Sequence, residues 1–244
     1  MPTPVHYLPI LTTLVAAVFA VTVFRRYREK GGTHLLWWGI GMITYGAGTI
    51  TESLTTLTGW HEPVFRAWYI TGALLGGAPL AQGTAYLLFS RKTANRMTVV
   101  LVSVIVIASV AVLLAPIDVA RVETHRLSGR VFEAQWVRAF SPFINLYAAI
   151  LLIGGAVWSA VGYARVRNAG RRVWANASIA LGALLPGIGG SFTRFGHVEV
   201  LYVTELIGLL LIFLGYRLST TARTATIHHP AAAAPLTAVP GGSR

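Results

Sequence analysis

The chain has no cysteine among its 244 residues. Disulfides, thiolate metal centres and cysteine nucleophiles are therefore excluded. Charge is also scarce. Asp, Glu, Lys and Arg make up 11% of the sequence, against roughly 25% in an ordinary soluble domain. Lysine is nearly absent: Lys30 and Lys92 both fall in polar connections between apolar stretches, so no late apolar segment offers an amine for a Schiff base. The sequence contains no P-loop, no Gly-x-Ser-x-Gly and no His-Glu-x-x-His. Conventional catalysis has no signature here, and no cofactor is expected.

What the sequence does have is apolar length: hydrophobic residues are 55% of the chain. Seven apolar stretches, at about 7 to 24, 35 to 58, 64 to 89, 97 to 115, 140 to 163, 173 to 193 and 198 to 218, nearly exhaust it. Each predicts a helix, because a backbone in lipid must satisfy its own hydrogen bonds. The expected fold class is an all-α membrane protein, a bundle of seven transmembrane helices in one domain, 1 to 219. The remainder, 220 to 244, with Pro230, Pro235 and Pro240, has little to bury and is expected to be a disordered cytoplasmic tail.

The formal charge of +12 is explained by where it falls. Arg25, Arg26, Arg28 and Lys30 follow the first stretch, Arg91, Lys92 and Arg96 the third, Arg165, Arg167, Arg171 and Arg172 the fifth, and Arg217 and Arg223 the seventh. Each run follows an odd-numbered stretch. The positive-inside rule then places the N-terminus outside and the C-terminus in the cytoplasm. Of the eight acidic residues, all but Glu29 fall in the outer half or outside. The pattern predicts membrane topology with attraction to anionic membrane lipid, not nucleic-acid binding. Residues 1 to 6 lack Lys and Arg, so the first stretch is expected to stay as a span and not be cleaved as a signal peptide.

Small residues recur at helical spacing. Span three carries Tyr69, Gly72, Gly76, Pro79, Gly83 and Tyr86, span five Asn145, Ala148, Leu152, Gly155, Ser159 and Gly162, and span six Asn176, Ala180, Ala183, Gly187, Gly190 and Arg194. Such stripes let membrane helices approach closely. Pro186 with Gly187, Gly189 and Gly190 predicts an interruption of span six, and Pro79 after Gly76 and Gly77 a kink in span three. Span four is nearly pure aliphatic and is expected to face lipid. The polar connection 116 to 139 is a candidate lid. Trp37, Trp38, Trp60, Trp68, Trp136 and Trp174 suit an interfacial aromatic belt.

Two ionisable residues lie well inside spans, where each calls for a partner or a water-filled cavity. Glu52 on span two and Glu205 on span seven come to similar depth in the outer half, within reach of Arg66 and Arg194. With Tyr45, Thr49, Tyr69, Gln82, Asn145, Ser191 and Tyr202 they are the expected lining of one polar, outward-facing cavity. A Glu to Arg lock between spans, a ligand site and a proton-carrying site all fit these residues. His61 and Glu62, and His197 and Glu199, have metal-ligand chemistry but no diagnostic spacing.

The stretches Leu35 to Glu52 and Trp68 to Arg91, with Trp38, Tyr45, Tyr69, Pro186, Gly190, Arg194 and Glu205, resemble a widespread group of uncharacterised bacterial seven-helix membrane proteins. More distantly they resemble the seven-helix N-terminal sensor region of some bacterial histidine kinases. The resemblance implies a ligand-sensing bundle in a bacterial inner (cytoplasmic) membrane, and the expected ligand of its polar cavity is small or lipid-like. Lacking a kinase output region, the chain would need a signalling partner at its basic cytoplasmic connections. The alternatives are a small-molecule or proton-coupled transporter built as three spans, a linker span and three more, and a membrane enzyme acting on lipid.

Overall fold

The computed structural model describes residues 4 to 124, 126 to 193 and 195 to 227, with side chains through residue 220. The described residues form helices and turns, with isolated bridges only in the connection after residue 114. A short turn at Pro4–Tyr7 leads into α1 (Leu8–Lys30), followed by α2 (Thr33–Thr58). α3 (Glu62–Trp68) continues as a wider π turn, Tyr69–Leu74, and after a break the chain resumes as α4 (Ala78–Leu88). α5 (Arg91–Leu114) is followed by α6 (Phe140–Ala149), a second π turn at Ile150–Gly154, and α7 (Gly155–Ala164). α8 (Gly170–Thr193) and α9 (Val198–Ile227) complete the fold.

The ends of these helices follow from local chemistry. Gly31 (φ 63°) and Gly59 (φ 84°) terminate α1 and α2 in a backbone region that side chains disfavour. Their amides return to Tyr27 and Thr55 carbonyls, which satisfies part of each helix end. Ser90 caps α5 by accepting the Thr93 amide.

Five helical segments are long and apolar enough to cross a membrane: Pro4–Lys30, Arg91–Leu114, Gln135–Ala164, Gly170–Thr193 and Val198–Thr220. Two others lie between them in the chain. α2 has the length, at 26 residues, but its apolar average is diluted by glycine, threonine, serine and Glu52. Its hydroxyls bond back to its own carbonyls, Thr51 to Gly48, Ser53 to Thr49 and Thr55 to Thr51, which hides their polarity inside the helix. The α3–α4 segment is broken at Leu75–Gly77.

The segments pack in chain order around a ring. α1 lies against α2, α2 against α3–α4, α4 against α6 and the second π turn, α7 against α8, α8 against α9, and α9 against α1. α5 stands outboard, leaning on α4 and the first π turn, with much of its aliphatic surface exposed, as expected for a lipid-facing span. Glycine sets the closest approaches. A methyl at Gly48 would meet the Gly72 backbone at 3.0 Å, one at Gly182 the Gly208 carbonyl at 2.5 Å, and one at Gly215 the Ala175 carbonyl at 2.5 Å.

Several expectations are corrected here. α8 runs through Pro186 without interruption. Pro186 removes the amide that would serve the Gly182 carbonyl, and Gly208 of α9 packs against both that carbonyl and the proline ring. The contact face of α8 is Ala175, Gly182 and Gly189; Gly187 and Gly190 of the expected stripe have open space beside them. Span three does break where Gly76 and Gly77 precede Pro79. α9 continues to Ile227, past the expected end of the bundle at 219, and residues 228 to 244 lie outside the described residues. Of the tryptophans, Trp136 and Trp174 are exposed. Trp38 and Trp68 instead turn inward and donate to the Leu80 carbonyl and to Glu52.

The connection between α5 and α6 packs down as a cap. Asp118 and Glu133 amides bond the Val131 and Pro116 carbonyls, and fully buried Phe132 sits between Phe65 and Tyr69, with centroids 5.1 and 5.0 Å away. Arg126 crosses to the end of α8 and donates to the Thr193 carbonyl at 2.6 Å.

Candidate functional site

Glu52 and Glu205 each lie six or seven residues from one end of the bundle, Glu52 before the end of α2 and Glu205 after the start of α9. At a rise of about 1.5 Å per residue, both are roughly 10 Å below that end. The two carboxyl groups are near enough to act electrostatically on each other.

Trp68 completes the first side of the pair, its indole N–H donating to Glu52 Oε1 at 3.0 Å. The Tyr45 hydroxyl, two turns from Glu52 on the same face of α2, donates to the Glu205 backbone carbonyl at 3.2 Å. Tyr202, one turn before Glu205, is 3% exposed. Oε2 of each glutamate is buried and makes no hydrogen bond to the described protein. Glu52 itself is 5% exposed.

The pair is covered from the bundle end by the N-terminal turn. His6 packs edge-on to Tyr202, centroids 6.0 Å apart, and its Nε2 lies 3.8 Å from Glu199 Oε1. Its carbonyl accepts the Thr56 hydroxyl at 3.3 Å. Below the pair, Thr13 of α1 and Thr49 of α2 bond at 2.7 Å.

Among the described residues neither carboxyl has a Lys or Arg partner. Arg66, expected to reach them, faces the other way. It pairs with Glu62 at 2.7 Å and donates to the Val112 and Ala115 carbonyls, closing the C-terminal end of α5. Arg194 lies outside the described residues. Two carboxyl groups facing each other without a cation are complete only when positive charge joins them, as a shared proton or as a cationic group.

The other expected site residues fall into separate networks, so the single polar lining is corrected. Gln82 is fully buried, donates to the Ala94 carbonyl at 3.0 Å and Thr98 at 2.8 Å, and accepts from Tyr147 at 2.5 Å. It is satisfied and locks α4 to α5 and α6. Asn145, with Ser141, donates to the Ala73 carbonyl, both at 3.1 Å, restoring a bond beside the break in α3–α4. Tyr69 sits in the aromatic cluster with Phe65 and Phe132. Ser191 is exposed and bonds its own helix at Gly187. What converges is Glu52, Glu205, Tyr45 and Tyr202, with Thr49 beneath.

Trp68 and His6 were not among the expected site residues. Trp68 was marked by spacing alone: it lies one turn before Gly72, and Glu52 one turn after the Gly48 that Gly72 touches. His6 carried no comparable signal.

Comparison with protein families, with curated proteins and with solved structures finds no match to this chain.

Proposed function

We propose that the chain is an inner-membrane protein of seven spans, N-terminus outside and C-terminus in the cytoplasm, that binds a small ligand at the Glu52–Glu205 pair and serves as a sensory bundle. The observation that carries this reading is the pair itself. Two carboxyls from neighbouring segments, joined through the Tyr45 bond to the Glu205 carbonyl, each hold one buried, unpartnered oxygen and have no Lys or Arg partner among the described residues. Gln82, which locks α4 to its neighbours, is satisfied. Among the described residues, one oxygen of each glutamate is not.

The surroundings favour a ligand carrying positive charge. Trp68, Tyr45 and Tyr202 bring aromatic and hydroxyl groups to the two acids, a combination suited to an organic cation. Counted with α2 and α3–α4, the bundle has seven spans, and each basic run falls on one side. α2 and the third span owe their low apolar average and their break to internal packing, which is compatible with crossing.

Transmission has a structural route. A ligand joining Glu52 to Glu205 also acts on Trp68, and Trp68 adjoins the π turn Tyr69–Leu74 and the break at Leu75–Gly77. Such turns are where helices change register with least loss. The basic connections at Arg25 to Lys30 and Arg165 to Arg172 are then the surfaces for a signalling partner.

The transport reading rests on the ring of six segments with α5 outboard, the outline of three spans, a linker and three more. The halves differ, however: the third member of the first is broken between its π turn and α4, whereas α9 is an unbroken helix of 30 residues. That asymmetry favours sensing.

The test is native mass spectrometry of the purified protein beside Glu52→Gln. A discrete bound mass in the wild type that the folded variant lacks supports the reading. Equal, empty spectra from both would reduce the pair to bundle packing.

A further inference from the structure

A second feature lies on the other side of the bundle and shares no residue with the carboxyl pair. Between α5 and α6 runs a groove of about 390 Å³. On the α5 side its wall is one helix face, the stripe Arg96, Val100 and Val104 with Met97 and Leu101 beside it, and on the α6 side it is Phe143, Ile144 and Tyr147. The stripe continues one turn further to Lys92, because residues four apart share a face.

The groove is apolar along its length and basic at one end. Arg96 and Lys92 are exposed and make no hydrogen bond or ion pair among the described residues. Phe143 at the opposite end is 73% exposed. From Arg96 to Val104 the wall is about 12 Å long, a length for part of an acyl chain.

α5 is also the outboard helix, so the groove opens away from the ring, where lipid lies in the membrane reading. Lys and Arg at the polar end of an apolar groove between spans are the arrangement that selects an anionic headgroup. The arginine brings a planar fork of donors that fits phosphate oxygens.

We propose that this groove is a binding site for one anionic glycerophospholipid, an acyl chain lying along Val100, Val104 and Phe143 and the phosphate held by Arg96 and Lys92. The Tyr147 hydroxyl, already committed to Gln82, presents only its ring to the chain. Through Tyr147 and Gln82 an occupant would brace α5 against α4 and α6.

The experiment uses the full-length protein in nonionic detergent, offered equal amounts of phosphatidylglycerol and phosphatidylcholine with identical acyl chains, with retained lipid counted by native mass spectrometry. Wild type is expected to retain one phosphatidylglycerol in preference, by roughly fivefold for each of the two cations. The double variant Lys92→Gln with Arg96→Gln should still retain lipid but without preference. Val100→Trp, which fills the groove from an exposed position, should lower retention of both lipids. Excess soluble glycerol phosphate should not displace the bound lipid. Equal retention of the two lipids by the wild type would overturn the proposal. So would a preference that survives the double variant, or displacement by glycerol phosphate alone.

Discussion

Trp68 donates its indole N–H to Oε1 of Glu52 at 3.0 Å, so the third segment holds one end of a carboxyl pair whose other end belongs to α9. This bond makes the pair a junction of three segments.

Removing the donor tests that junction. Trp68→Phe keeps an aromatic ring but removes the indole N–H and leaves Oε1 of Glu52 without its partner, at an expected cost of about 1–3 kcal/mol for the lost bond. The same substitution in a chain already carrying Glu52→Leu should cost less, because the two side chains act on one bond. Thermal unfolding of the four proteins in detergent measures this; strictly additive losses would show that the indole and the carboxyl are independent.

The α8–α9 contact makes a paired prediction. Gly182→Ala places a methyl 2.5 Å from the Gly208 carbonyl and should destabilise the protein by about 1–3 kcal/mol through overpacking. Gly187→Ala, five residues along the same helix, meets nothing within 4 Å and should be neutral or slightly stabilising, since alanine favours helix over glycine. Similar unfolding temperatures for the two variants would contradict the packing face assigned to α8.

Arg66 is assigned to the end of α5 and not to the glutamates. Arg66→Leu should therefore speed hydrogen exchange in the last turn of α5, near Val112 and Ala115, while leaving any mass bound at the carboxyl pair in place. Loss of that mass with unchanged exchange in α5 would return Arg66 to the pair.

Because the chain has no native cysteine, single introduced cysteines can test whether it crosses the membrane seven times. With α2 and α3–α4 both spanning, cysteines at His61 and Val119 should react with an impermeant maleimide in intact cells. Those at Ser90 and Arg167 should react only after permeabilisation. If α2 and α3–α4 do not cross, position 61 will behave like position 90.

Helix positions were legible in the sequence because apolar length is a coarse signal, and the helices from α1 to α9 lie where the seven stretches predict them. The glutamates were legible because carboxyls are rare within apolar runs. Of their neighbours, Tyr45, Thr49 and Tyr202 were legible too, but Trp68, His6 and the true place of Arg66 were not. Arginine side chains are long, and sequence spacing does not say that Arg66 turns to the carbonyls of α5. The α8 stripe was displaced by one residue, since Gly187 and Gly190 repeat as regularly as Gly182 and Gly189, and only the facing glycines of α9 choose between them. Pro186 predicts a break from local chemistry alone; the close approach of Gly208 at the carbonyl it leaves unserved belongs to another helix.

The central claim is that Glu52 and Glu205 act as one site. Its most direct test is native mass spectrometry of Glu52→Gln, Glu205→Gln and the double variant, each confirmed as folded, beside the wild type. The account predicts that either single substitution abolishes the same bound mass and that the double variant does no more. A bound mass that depends on one glutamate and ignores the other, or that survives in all three, would contradict it.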